Sequence, residues 1–486
     1  MGYGRLTSPD AREKVQPQVR ERSRTSFQHR CGSAPAPARR PRSLRRSTIV
    51  NRTSRTFATV AGIAGLALVL AACGDDADSS SSADGDPSGS AEPEEVTLSV
   101  ATFGTFGYEE AGLFEEYEQL NPHVTIEAIP PLDGGPYHED LFTKLAAGGG
   151  LADVVAFEEG HIGRVLQQAD KFVDLGADGP DTDGRWLDWK TSRATTPDGR
   201  LIGYGTDIGP LAICYNKELF AAAGLPTEPE EVAGLFTTWE DYFSAGRDYV
   251  AATGKPWFDS STQMFNAMVN QLPEGFTNED NEIIVDSNPA IREVWDQVTT
   301  AIEEGQSAKL AAWSPEWNQG FANGGFATQA CPSWMLGVIE GAAGPDNAGT
   351  WAVADVFPDG GGNWGGAWLG VPLESDAREE AVALAAWLTA PEQQIKAFNS
   401  AGTFPSQVDA LNSPDLLEST NEYFGQEVGS LFAARAEANG EAQHKGPFDG
   451  AIQENASSPA LQAVEGGTSA EDGWQQFLDE TARIVE

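Results

Sequence analysis

From Val96 onward the apolar positions of the chain change period several times. Val96, Leu98 and Val100 alternate with polar neighbours, the period of a half-buried strand. Leu113, Phe114, Tyr117 and Leu120 instead recur at the three-and-four spacing of a helix face. The pattern predicts further strands over 124–129 and 153–157, with a helix over 139–147 between them. Strands alternating with helices predict an α/β fold of βαβ units on a largely parallel sheet. Ligand-bearing loops are then expected beyond the strand ends, at 103–108 and 157–161. Two short apolar runs follow in 201–216, broken at 205–210, as a crossover between two lobes or an ordinary loop would be. Helices are predicted over 217–223, 239–252, 263–271 and 290–304, and a strand over 326–331 that runs into Pro332-Ser333-Trp334. A glycine-rich loop at 359–366 holds Trp364, and a long helix over 377–400 meets a breaker at Pro391 before a mostly helical tail.

The front of the chain has a different character. Residues 58–72 form an uncharged apolar run of 15 residues preceded by Arg52 and Arg55. A bilayer-spanning helix needs about 20, so the run reads as a secretory signal. It ends in Leu70-Ala71-Ala72-Cys73, which resembles the lipobox of bacterial lipoproteins. That resemblance implies a signal peptide over 50–72, cleavage before Cys73, and a lipid on its sulfur. The Ser-, Asp- and Gly-rich stretch through residue 94 reads as a flexible tether. Residues 1–49 are Arg-, Pro- and Ser-rich and fit no signal peptide; they read as a mis-assigned start, with translation from Val50, or as a disordered basic leader.

Charge sharpens the division. Residues 1–72 carry 14 basic and 3 acidic residues, whereas Cys73–Glu486 carries 17 basic and 70 acidic, a net charge near −53 against −42 for the whole. Such a body excludes nucleic-acid binding by phosphate neutralisation and direct attraction to an anionic bilayer. All 13 tryptophans lie beyond residue 185, too many for a disordered acidic chain. About 400 residues suffice for two cored lobes.

No metal or cofactor frame is present. His123, His138, His161 and His444 are scattered, and neither a P-loop nor a GxSxG elbow occurs. Aromatic residues instead fall beside carboxylates and glycines, at Phe157-Glu158-Glu159-Gly160, Trp257-Phe258-Asp259-Ser260 and Asn363-Trp364-Gly365-Gly366. Rings stack on the apolar face of a pyranose while Asp, Glu and Asn bond its hydroxyl rim. Composition alone leaves a lipid-anchored glycoside hydrolase or a lectin open beside a sugar receptor. A single tryptophan is more often core, but Trp334 and Trp364 sit in Pro- and Gly-marked loops. For an exported chain, Cys214 and Cys331 favour a disulfide over two separate buried thiols.

Several segments carry a family resemblance: Ala212-Ile213-Cys214-Tyr215-Asn216-Lys217-Glu218-Leu219-Phe220 with Ala222-Ala223-Gly224-Leu225-Pro226, Gly325-Phe326-Ala327-Thr328 leading to Trp334, and Leu388-Thr389-Ala390-Pro391-Glu392-Gln393-Gln394. Over nearly all of 95–486 the chain resembles the extracellular solute-binding proteins of family 1, sugar receptors of ABC importers that include maltose-binding protein. The paired cysteines and the GNWGG loop further resemble actinobacterial receptors for cellobiose, xylobiose and related oligosaccharides. The resemblance implies a periplasmic-binding-protein-like fold, two α/β lobes joined by hinge strands with the ligand cleft between them. The crossovers fall near 207–211 and 364–369. One lobe takes 95–209 and 364–410; the other takes 210–363 and most of 411–486. Trp334 is then the stacking residue, with Glu158, Asp207, Asp259, Trp364 and Asp449 as further site candidates. Ala330-Cys331 departs from the frequent Asn-Gly of the family, which bears on which sugar is bound. The resemblance implies a non-enzymatic, monomeric receptor on the outer face of the cell membrane. Its partners are a carbohydrate ligand, the permease subunits and, through its lipid, the membrane.

Overall fold

The computed structural model describes residues 94–180, 182–440 and 442–486; the signal run, Cys73 and the tether up to residue 93 lie outside the described residues. Strands β1 (Val96–Phe103), β2 (Val124–Leu132) and β3 (Val154–Glu158) form where alternation predicts them. They are followed by β4 (Tyr204–Gly205), β5 (Asp207–Ile208), β6 (Leu211–Asn216), β7 (Thr328–Pro332), β8 (Trp351–Ala354), β9 (Ala367–Gly370) and β10 (Phe404–Pro405). One sheet has the order β2-β1-β3-β9-β4, a second has β7-β6-β8, and β5 pairs with β10.

The largely parallel sheet expected from the sequence is corrected here. β1 runs parallel to β2 and β3, but β9 is antiparallel to β3 and β4, and the second sheet is antiparallel throughout. Parallel neighbours need a helical crossover, which β1–β3 have. β9 instead comes straight back from the second sheet alongside the outgoing chain, so it enters the first sheet in the opposite sense.

Two α/β lobes result, each with its own core. Leu98, Val100, Val154 and Val155 of the first sheet pack with Tyr137, Leu141 and Leu384 from its helices. In the second, β6 serves two cores by simple alternation. Leu211, Ile213 and Tyr215 face one apolar cluster, while Ala212 and Cys214 face another that holds Trp317 and Trp351. Helix limits follow local chemistry. The helix Lys217–Ala223 starts at Asn216, whose side chain accepts from the Leu219 amide, and stops at Gly224 with φ 75°. The helix expected over 377–400 is two, Arg378–Leu388 and Pro391–Ala401, because Pro391 has no amide hydrogen to continue the first.

The outgoing and returning chains lie side by side. The Thr206 amide bonds the Ala367 carbonyl at 2.9 Å, the Trp364 amide bonds Gly209 at 2.8 Å, and the Leu211 amide bonds Gly362 at 2.9 Å. The approach is close enough that a Cβ on Gly209 would lie 1.9 Å from the Trp364 carbonyl oxygen. Nearby, a disulfide joins Cys214 on β6 to Cys331 on β7, with Cα atoms 5.4 Å apart and a sequence separation of 117. It ties together the strand that leaves the crossover and the strand that leads to Trp334. Closing so long a loop restricts the unfolded chain, so replacing both cysteines by serine is expected to cost about 2–5 kcal/mol. Urea unfolding of the double variant checks this; an unchanged midpoint would contradict the assigned constraint.

Candidate functional site

Glu158 is the last residue of β3, opposite Ala367 of β9. Its carboxylate accepts from the Gly160 amide at 2.9 Å, and its own amide donates to Nε2 of the buried His138 at 3.0 Å. A Cβ placed on Gly365, where φ is +83°, would lie 3.0 Å from Trp334 Nε1 and 3.8 Å from Glu158 Oε1. Glycine there lets the acid and the indole approach the same stretch of backbone. On the other side, Gly160 packs against Gly450, whose neighbour Asp449 opens the short helix Asp449–Ile452. Asp449 accepts from the Thr277 hydroxyl, while its Oδ2 has no hydrogen-bond partner among the described residues. Glu158, Trp334, Trp364 and Asp449 therefore gather where the two lobes meet.

The two tryptophans differ in what they can offer. Trp364 is 7% exposed and belongs to the core of the second lobe, whereas Trp334 is half-buried and bridges both clusters of that lobe. Trp334 Nε1 donates to the Trp364 carbonyl at 2.8 Å, and the rings meet edge-on at 5.6 Å. Trp364 thus supports Trp334. On the far side stands Trp313, 45% exposed, its ring centroid 6.1 Å from that of Trp334 and 30° from parallel. Sequence reasoning missed Trp313. The Pro-marked turn around it was visible, but its left-handed backbone, φ 68°, was not. Trp317 packs 5.0 Å from Trp313 and donates through Nε1 to Asp259 Oδ2 at 2.6 Å. Asp259 itself is fully buried. Its carboxylate orients the tryptophan that backs the exposed one.

Asp207 serves the crossover. Its Oδ1 accepts from the Thr206 hydroxyl at 2.8 Å and from the Ala367 amide at 3.0 Å, pinning the outgoing to the returning chain. Asn363 does the same from the other strand. It accepts from the Gly209 amide at 2.9 Å and donates to Glu159 Oε2 at 2.9 Å and to the Gly365 carbonyl at 3.0 Å. Beneath them lies Lys190, fully buried, with its ammonium 3.7 Å over the Trp368 ring. Burial draws the Lys190 pKa down to about 8 against the pull of Asp207 and Glu159. Burial likewise lifts Glu159 to about 7, opposed by Lys445 and Lys190. Glu158, Asp207 and Asp449 are also raised by burial, each opposed by a neighbouring basic side chain: His161 for Glu158, Lys190 for Asp207 and Lys445 for Asp449. A surface depression of about 620 Å³ lies at Thr182–Thr196, but none of these residues lines it. Among the described residues no cluster of His, Cys, Asp or Glu is arranged to hold a metal ion.

Residues 112–422 match the family model of the bacterial extracellular solute-binding protein. The chain belongs to that family. This solute-binding protein is 48% identical to a crystal structure described as extracellular solute-binding protein family 1, over 80% of this chain and 100% of that one, with a TM-score of 0.71. It shares 26% identity over 349 residues with an arabinooligosaccharide-binding protein of Halalkalibacterium halodurans, 67% of this chain and 76% of the relative. An ABC-transporter-associated binding protein of B. animalis subsp. lactis Bl-04, solved with β-1,6-galactobiose, has the same fold at 18% identity, with a TM-score of 0.68 over 80% of this chain and 96% of that one. Solute binding, not catalysis, is the activity of the family, and its place is outside the cytoplasmic membrane or in the periplasm.

Asp259 yields a pH prediction for this solute-binding protein. Burial raises its pKa from 3.8 to about 7, opposed by the bond from Trp317. A raised carboxylate contributes stability that is present below the unfolded value and lost as pH climbs through the folded value. Asp259→Asn keeps an acceptor for Trp317 without the charge. The variant is expected to gain stability relative to the parent as pH rises from about 4 to about 7. Urea unfolding across that range checks it; a constant difference between the two proteins would refute the assignment.

Proposed function

We propose that this protein is the lipid-anchored receptor of an ABC importer for a short oligosaccharide. The observation that carries the reading is the aromatic strip at the lobe junction. Trp313 and Trp334 present neighbouring rings 30° from parallel, and Trp334 approaches the same glycine, Gly365, as the Glu158 carboxylate. Two rings in a row suit two consecutive sugar units better than a monosaccharide, each ring taking an apolar sugar face while the acids accept hydroxyls. The sugar-binding names of the relatives support the same class. Among pentose and hexose oligomers, cellobiose- or xylobiose-like ligands are favoured by the GNWGG loop and the disulfide, and arabino-oligosaccharides by the relative in H. halodurans.

In this reading the 95–209 and 364–410 stretches build one lobe, and 210–363 with most of 411–486 the other. Sugar bridges both, and its contacts in the closed form exceed those in the open form, so binding shifts the population toward closure. The closed receptor then engages the permease. Cys73 carries the lipid that holds the receptor at the outer membrane surface, with 74–94 as tether. Glu158, Asp449, Trp334 and Trp313 meet the sugar, Trp364 and Asp259 support the rings, and Asp207 holds the hinge.

A thermal-shift screen with cellobiose, xylobiose, arabinotriose and β-1,6-galactobiose tests the class. At least one is expected to raise the melting temperature and to bind at about micromolar Kd or tighter; no shift with any of them would overturn the carbohydrate reading. Trp334→Ala is expected to raise the Kd of the bound sugar at least about 30-fold, the loss of a hot-spot residue worth about 2 kcal/mol or more. Trp313→Ala should weaken a trisaccharide more than the corresponding monosaccharide. Titration calorimetry with both lengths reads this directly, and equal losses would remove Trp313 from a second sugar position.

A further inference from the structure

All nine residues of the helix Ser261–Val269 are buried, yet the helix is amphipathic. Phe265 packs against Trp295 and Phe477, and Met264 and Met268 join the same core. Gln263, Asn266 and Asn270 recur at spacings of three and four, which places them together on the opposite face. A polar helix face ordinarily looks to water. This one does not, since Gln263 is 2% exposed and Asn266 6%. Gln263 Nε2 and Asn266 Oδ1 have no hydrogen-bond partner among the described residues, and neither has Oδ1 of Asp259, four residues before Gln263. Each bond left unmade at a buried polar group costs about 1–3 kcal/mol, so a working state of the protein must supply partners.

The two ends of this face lead to the groups already gathered at the junction. At one end Asp259 holds Trp317, which backs Trp313 and through it Trp334. At the other, Asn270 Oδ1 accepts from Lys445 Nζ at 2.6 Å. Lys445 acts electrostatically on both Glu158 and Asp449, and Asp449 Oδ2 is a fourth buried polar atom without a partner among the described residues. The unpartnered face therefore runs between the aromatic strip and the acids. We propose that Gln263 and Asn266 are specificity-determining ligand contacts, bonding hydroxyls of the sugar unit next to the one stacked on Trp334. The assignment rests on the carbohydrate reading above. A sugar hydroxyl both donates and accepts, so it suits a face that offers an amide donor at Gln263 and a carbonyl acceptor at Asn266. Such a face rejects analogues that lack the hydroxyl.

The near-isosteric variants Gln263→Met and Asn266→Leu test it. Each is titrated calorimetrically with cellobiose, xylobiose, arabinotriose and β-1,6-galactobiose, and each is melted without sugar. The proposal predicts at least a tenfold rise in Kd for every sugar the parent binds, with the sugar-free melting temperature unchanged or higher, because an unmet polar group has been removed. Affinity within twofold of the parent overturns it, whatever happens to stability. If the parent binds none of the four sugars, the carbohydrate reading fails. The melts then judge the face itself, since a lower sugar-free melting temperature means the amides serve internal waters rather than a ligand.

Discussion

The site depends on one antiparallel pair of extended segments, 206–211 going out and 362–367 coming back. The pair is short, glycine-rich and closely apposed, and polar side chains fasten it: Asp207 from one strand, Asn363 from the other. Backbone bonds in such a ribbon resist sliding but tolerate bending, which suits a joint between two separately cored lobes. The buried Lys190 ammonium is set over Trp368 and feels the charges of Asp207 and Glu159 without a hydrogen bond to either. Trp364 lies within this ribbon and Glu158 pairs with Ala367 at its end, so the ribbon's geometry sets the distance between acid and ring.

From the ribbon outward, the aromatic strip is built by successive support. Trp364 fixes Trp334 through its carbonyl, Asp259 fixes Trp317, and Trp317 backs Trp313. Rings held from behind lose little freedom when a ligand arrives, which is how a preorganised site gains affinity. The net charge near −53 of Cys73–Glu486 does not enter this contact, because a neutral sugar gains nothing from it. Locally the acids are milder than their number suggests, since burial lifts Glu159 and Asp259 into the neutral range.

Much of the architecture was legible in the sequence because it rests on local periodicity. The strands at the front of the body, the helix Lys217–Ala223 and the break at Pro391 follow from spacing and from proline chemistry. The direction of β9 was not legible, because it depends on how the chain returns from a second sheet, a tertiary fact with no local signature. Trp334 could be singled out from its loop. Trp313 could not, since its exposure follows from a left-handed backbone and a neighbour fixed by an acid 58 residues earlier in the chain. Asp207 and Asp259 were legible as important acids but not as supports. Gln263 and Asn266 look in sequence like the polar side of a surface helix, and only the packing around them shows that this side is buried.

The central claim is that a sugar is held between two lobes that close on it about the paired strands. Small-angle X-ray scattering tests this most directly, with and without a saturating concentration of the sugar that gives the largest melting shift. The account predicts a smaller radius of gyration with sugar bound and a sugar-free curve fitted by a more open arrangement of the same two lobes. An identical radius in both states at proven saturation would contradict it.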